Sequence, residues 1–182
     1  MSRFQTAQRL IAATFCAATI PALVYGQTIS AACRPLIDAQ RKTITTSNHA
    51  YSTRSSAGPS QGKRTTEEIT VGGAIYVQYG GNWRRSSATP KTMLAQIDTN
   101  LATANAFSCT HVGDEAVAGT AAAVYTTHTE NEGVKADARI WVAKASGLVL
   151  RMEEDQDTGG GDKAHMSIRY DYANVQAPAG VK

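Results

Sequence analysis

The spacing of apolar positions changes character several times along the chain, and the changes mark out its elements. Residues 10–20 carry no charge, Arg3 and Arg9 stand ahead of them, and Pro21 follows. That arrangement reads as an export signal over residues 1–26, cut after Gly26, and its apolar run is too short to span a bilayer. Cys16 lacks the small residue that lipoprotein processing needs beside it, so a product without a stable membrane anchor is expected. Over residues 31–42 an incomplete stripe containing Leu36 and Ile37 predicts a helix, with Pro35 held to its first turn. Residues 49–53 alternate as a strand does, and 55–63 read as a loop.

Residues 65–71, 74–79 and 82–85 are strand-like and are separated by Gly72-Gly73 and Gly80-Gly81. Glycine pairs reach the positive φ that two-residue hairpin turns demand, so a meander is predicted. Thr89-Pro90 then reads as an N-cap with proline at the first helical position. Met93, Leu94, Ile97 and Leu101 recur at helical spacing and predict a core-facing helix on the sheet. Residues 112–119 read as a polar turn. Four further strands are expected over 120–129, 137–143, 148–154 and 164–173, joined by short glycine-containing links that favour antiparallel pairing.

One hairpin carries a prediction of register. A three-residue loop at Ala145-Ser146-Gly147 would pair Val142 with Leu150 and Ile140 with Met152 on an apolar face. Trp141 would then meet Arg151, and Arg139 would meet Glu153, on a water-facing side offering a cation–π contact and an ion pair. Ile140, Val142, Leu150 and Met152 are therefore expected to face the interior, as plain core or as the wall of an apolar pocket, since both have the same composition.

Charge narrows the classes of partner. The full chain carries a formal +3, but removal of Arg3 and Arg9 leaves 16 basic against 15 acidic side chains. No basic cluster remains to supply the phosphate contacts of nucleic-acid binding. Residues 27–182 suit one domain with a real core. Two cysteines survive processing, Cys33 and Cys109, and in an oxidising compartment they are expected to form a disulfide. No Cys-x-x-Cys or His-x-x-x-His pair suggests a zinc site.

Candidate chemistry is sparse. No Gly-x-Ser-x-Gly motif is present, and His128 and His165 sit in strands without a recognisable nucleophile. Asp155, Asp157 and Asp162, around a run of glycines, have oxygen ligands suited to calcium, but their spacing departs from an EF-hand, and a solvated hairpin loop explains them better. No cofactor is expected.

Several blocks together resemble the LolA-like superfamily of periplasmic lipoprotein carriers and related exported lipid-binding proteins. They are Gly73-Ala74-Ile75-Tyr76-Val77 leading to Trp83, and Val112-Gly113-Asp114-Glu115-Ala116-Val117-Ala118-Gly119-Thr120. Ile140-Trp141-Val142 leading to Gly147-Leu148-Val149-Leu150-Arg151, and the closing Tyr170-Asp171-Tyr172 with Ala177-Pro178, complete the set. The resemblance implies an α+β fold in which a curved antiparallel β-sheet, a half-barrel, has helices packed on its concave side. It also implies an apolar cavity that receives a lipid, an acyl chain or a lipoprotein, and no catalytic residues. The expected function is that of a non-enzymatic periplasmic binding or carrier protein. An envelope interaction protein with no ligand, or a small secreted hydrolase on a cystatin or nuclear-transport-factor scaffold, would share the same order of elements.

Overall fold

The computed structural model of the chain describes residues 30–58, 61–104, 106–159 and 161–181, and the expected export signal lies outside them. A short 3-10 turn, Ala31–Cys33, leads into helix α1, Arg34–Thr45, with Pro35 in the first turn where its missing N–H costs nothing. Four strands follow: β1 Asn48–Ala57, β2 Gly62–Val71, β3 Ala74–Tyr79 and β4 Asn82–Arg85. Gly72 and Gly73 have φ of 59° and 75°, and Gly80 and Gly81 of 56° and 81°, so both links turn as their glycine pairs predict. Helix α2, Pro90–Thr103, opens with a capping box in which the Thr89 hydroxyl accepts from the Thr92 N–H and the Thr92 hydroxyl accepts from the Thr89 N–H. Strands β5 Ala106–Val117, β6 Thr120–Asn131, β7 Val134–Ala143, β8 Val149–Asp157 and β9 Lys163–Asp171 complete the chain.

All nine strands join one antiparallel sheet in the order β4-β3-β2-β1-β9-β8-β7-β6-β5. Two meanders meet where β9 pairs with β1, and the sheet does not close, leaving β4 and β5 as opposite edges. The architecture is α+β, with a curved sheet and both helices against its concave face. Helix α2 is the only connection between the two edges, so it must cross that face.

Three segments depart from the sequence reading. Residues 55–57 and 62–63, read as part of a loop, belong to β1 and β2. Residues 112–119 are not a turn. Strand β5 continues to Val117 through a bulge between His111 and Gly113, and the reversal is left to Ala118 and Gly119, at φ of 48° and 82°. In the β7–β8 hairpin, Ile140 pairs with Met152, Trp141 with Arg151 and Arg139 with Glu153, as the three-residue loop predicts. Val142, however, pairs with Val149. The connection between Ala143 and Leu148 holds four residues, and one extra residue in β8 cancels the shift before Arg151 is reached. That bulge places Leu150 on the convex face, where it packs with Ala122, Val124 and Trp141. The expectation that Leu150 faces the interior is thereby corrected.

The convex face is not simply the water-facing side either. Trp141 is only 4% exposed. Beyond the β5 bulge the strand folds over this face, so that Val117 packs against Trp141 and Glu115 accepts a 2.7 Å hydrogen bond from the indole N–H. The Arg139 and Arg151 guanidinium groups lie 5.2 and 4.9 Å from the ring centroid, and Glu115, not Glu153, is the ion-pair partner of Arg139.

On the concave side Leu36 and Ala39 of α1 pack against Tyr125, Ala138, Ile140, Val142 and Val149. Full burial of a side chain such as Leu36 stabilises by about 1.5–3 kcal/mol. Thr43, 4% exposed, fixes the position of the helix. Its hydroxyl accepts a 2.9 Å hydrogen bond from the Val149 N–H, the Tyr172 hydroxyl donates to the Val149 carbonyl, and the two hydroxyls lie 3.3 Å apart. Asn48 satisfies the end of α1 by donating to the carbonyls of Thr43 and Thr46 at 3.0 and 2.8 Å. A disulfide between Cys33 and Cys109, with Cα atoms 5.6 Å apart, ties the start of α1 to edge strand β5.

Two stability outcomes are expected. Thr43→Val keeps the shape of the side chain but leaves the buried Val149 N–H without its acceptor, and urea unfolding should show a loss of about 1–3 kcal/mol. Unfolding with and without reductant should show the disulfide contributing about 2–5 kcal/mol, as bonds closing long loops do.

Candidate ligand-binding site

The apolar stripe of α2 never reaches the core. Met93, Leu94, Ile97 and Leu101 are all only half-buried, and α2 contributes no buried residue. The helix is seated against α1 rather than pressed into the sheet, with Asp98 paired to Arg41 of α1. This corrects the expectation of a core-facing helix. The space left beneath it is a cavity of about 280 Å³. Ile140, Val149, Met152 and Tyr170 form the sheet side, Thr43 and Ile44 come from α1, and Met93 and Ile97 come from α2. Gln40, Gln96 and Asn100 place amides at the same wall. The volume is near the lower end of small-ligand pockets, and the mixture of apolar walls with a few polar groups is the usual one.

Of the four interior residues picked out by sequence, Ile140 and Met152 line this cavity. Val142 is 7% exposed and belongs to the core under α1, and Leu150 lies on the other face. Sequence reasoning missed Val149, because the bulge that turns it inward has no residue signature, and Tyr170, whose face depends on pairing with β1. The Met93 and Ile97 stripe was visible but read as core.

Burial shapes the ionisation of the tyrosines on this side. The Tyr170 phenol is pushed well above its ordinary range by burial, and the charges of Tyr172 and Glu68 push in the same direction. Glu68 of β2 and Tyr170 of β9 both flank Ala50 in register, and the small alanine side chain leaves them to face each other. Burial also raises the Glu68 carboxyl. The rings of Tyr170 and Tyr172 are stacked with centroids 6.4 Å apart.

A larger depression of about 630 Å³ sits at the ends of β1, β7, β8 and β9 and is polar. Across these strands His128 pairs with Asp137 and His165 with Asp155, both at 2.8 Å, and Asp137 lies directly opposite Asp155. Ser55 lies opposite His165 in register, giving the three residue types of a hydrolytic triad. Their setting does not fit that chemistry, for Asp155 is 77% exposed and the Ser55 hydroxyl makes no hydrogen bond to His165. In the calcium candidate loop Asp155 is turned to His165, and Asp157 accepts from the Gly159 N–H at 2.9 Å. Among the described residues no group of three or more His, Cys, Asp or Glu is placed to hold a metal ion.

No family model matches the sequence, and no curated protein matches it. Solved structures do match. LprF from Mycobacterium bovis is 12% identical with a TM-score of 0.45, over 81% of this chain and 95% of that one. The Mycobacterium tuberculosis lipoprotein LppX is 13% identical with a TM-score of 0.46, over 81% and 97%. A LolA superfamily protein from Nitrosomonas europaea is 7% identical with a TM-score of 0.30, over 81% and 96%. A chain of the Pseudomonas aeruginosa MucA/MucB complex also matches, at 13% identity and a TM-score of 0.47, over 81% of this chain and 59% of that one.

An alkaline titration tests the tyrosine wall. Burial raises the Tyr172 phenol to about 12 from an ordinary 10.0, with the Thr43 hydroxyl acting weakly the other way. The folded state therefore keeps a proton that the unfolded chain loses above its ordinary value. The contribution is fully present below pH 10 and is lost as pH rises from 10 to about 12. Denaturant unfolding at stepped alkaline pH should show this fall, and Tyr172→Phe should reduce its slope, leaving the part that the buried Tyr170 phenol contributes.

Proposed function

We propose that the chain is an exported, non-enzymatic binding or carrier protein that takes the apolar part of a lipid, acyl chain or lipoprotein into the cavity between α1, α2 and the sheet. The observation that carries the reading is the half-buried apolar face of α2. A helix whose Met93, Leu94, Ile97 and Leu101 all remain partly exposed has apolar surface that a guest would cover, at about 25 cal/mol for each Å² removed from water. Met93 and Met152 on opposite walls suit a guest of variable shape, because unbranched thioether side chains repack easily. The Cys33–Cys109 bond supports export, since disulfides persist where the surroundings are oxidising. Among the described residues no helix is long and apolar enough to cross a membrane.

Two substitutions to tryptophan separate a pocket from a core. Ile97→Trp fills the cavity from its loosely packed side and should abolish uptake of a fluorescent fatty acid while leaving the unfolding midpoint nearly unchanged. Val142→Trp overpacks the core under α1 and should cost about 1–3 kcal/mol in denaturant unfolding. Fatty-acid uptake at the parent level in the Ile97→Trp protein would refute the cavity as the binding site.

A further inference from the structure

The convex face carries a further pocket, of about 400 Å³, lined by Tyr51, Thr53, Val117, Arg151, Ser167 and Arg169. Arg151 of β8 and Arg169 of β9 are direct cross-strand partners, an arrangement of like charges that costs stability unless something offsets it. Both guanidinium groups lie over aromatic rings, Arg169 at 4.3 Å from the Tyr51 centroid and Arg151 at 4.9 Å from that of Trp141. Stacking occupies the face of a guanidinium and leaves its in-plane N–H donors to bind an anion. Glu153 takes one edge of Arg151, whereas Arg169 has no carboxylate partner among the described residues. The nearest acid in its row, Glu67, beside Tyr51, is engaged by His49 at 2.9 Å. Thr53 and Ser167, themselves cross-strand partners, put two hydroxyls beside the arginines.

The geometry points to a phosphate-binding site between Arg151 and Arg169 on the convex face, separate from the apolar cavity. Two charged forks and two hydroxyls approach from adjoining strands, which matches a tetrahedral oxyanion with acceptors in several directions better than a planar carboxylate. The ligand is a phosphate group, free in solution or carried as the headgroup of a lipid.

Calorimetric titration with inorganic phosphate, against sodium chloride of equal ionic strength, tests the site. Saturable phosphate binding is expected in the parent, and Arg169→Gln should weaken it by about tenfold or more, as loss of charge-assisted hydrogen bonds does. Arg84→Gln, which removes an exposed arginine on edge strand β4 away from this pocket, should leave it unchanged. Flotation with phosphatidic acid vesicles, compared with phosphatidylcholine, separates the sources: Arg169-dependent flotation assigns the phosphate to a lipid headgroup, and titration without flotation assigns it to a soluble ligand. Parent protein that gives no more heat with phosphate than with chloride, or binding that survives Arg169→Gln, overturns the proposal. Fatty-acid uptake should be unchanged in Arg169→Gln, so failure here leaves the cavity reading standing, and failure there leaves this one.

Discussion

The constraint behind most of this structure is the passage from β4 to β5. These strands are opposite edges of a nine-stranded sheet, and at about 4.8 Å between neighbours they would lie about 38 Å apart if the sheet were flat. Fourteen helical residues reach about 21 Å and the six linking residues add about 20 Å when extended, so the connection spans a flat sheet only if drawn almost straight. Curvature shortens that distance and lets the links turn, and bulges in β5 and β8 supply local bending. Once curved, the sheet presents a concave face across which α2 must run. Whether that helix seals the face or bridges it depends on what already occupies the space.

Helix α1 occupies it first. Thr43 is joined to the bulged backbone of Val149, Tyr172 closes the network from the end of the chain, and the disulfide anchors the other end of α1 to β5. A bulge leaves backbone groups without ladder partners, and burying them is tolerable only because side chains from two other elements satisfy them. The same interaction that repairs the bulge thus fixes how close α1 sits to β8. Helix α2 then meets α1 before it can meet the sheet, and the cavity is the gap that results. Its walls are rigid on the side of Ile140 and Val149 and loosely packed on the side of Met93 and Ile97.

Much of this was legible in the chain. Glycine pairs announced two hairpins, Thr89-Pro90 announced α2, and the alternation from Arg139 to Val142 gave the register of three pairs in the β7–β8 hairpin. What was not legible depends on contacts distant in sequence. Glycine and two acids at 113–115 look like a turn, and only a neighbouring strand makes them a bulged edge. Trp141 flanked by arginines looks water-facing until Val117 and Glu115 arrive from β5. A stripe of apolar residues on a helix has one composition whether it meets a core or a void. Leu150 shows the limit most clearly, since one inserted residue moved it to the opposite face.

The two faces of the sheet therefore solve opposite problems with the same alternation. Inward positions carry mostly apolar groups, and the hydroxyls of Thr43 and Tyr172 are engaged by the network at Val149. Outward positions carry arginines, and β5 folds over them just far enough to bury Trp141 and to shield one side of Arg151. Burying an aromatic on a face that must also hold charge works because a guanidinium can lie against a ring while its donors remain in water. Tyr51 lines the convex pocket beneath Arg169, and Trp141 lies against Arg151, so each of the two neighbouring arginines rests on its own ring. An apolar guest under α2 and an anion on the outer face would then be held by the same strands, β8 and β9, with Met152 and Tyr170 facing one and Arg151 and Arg169 the other.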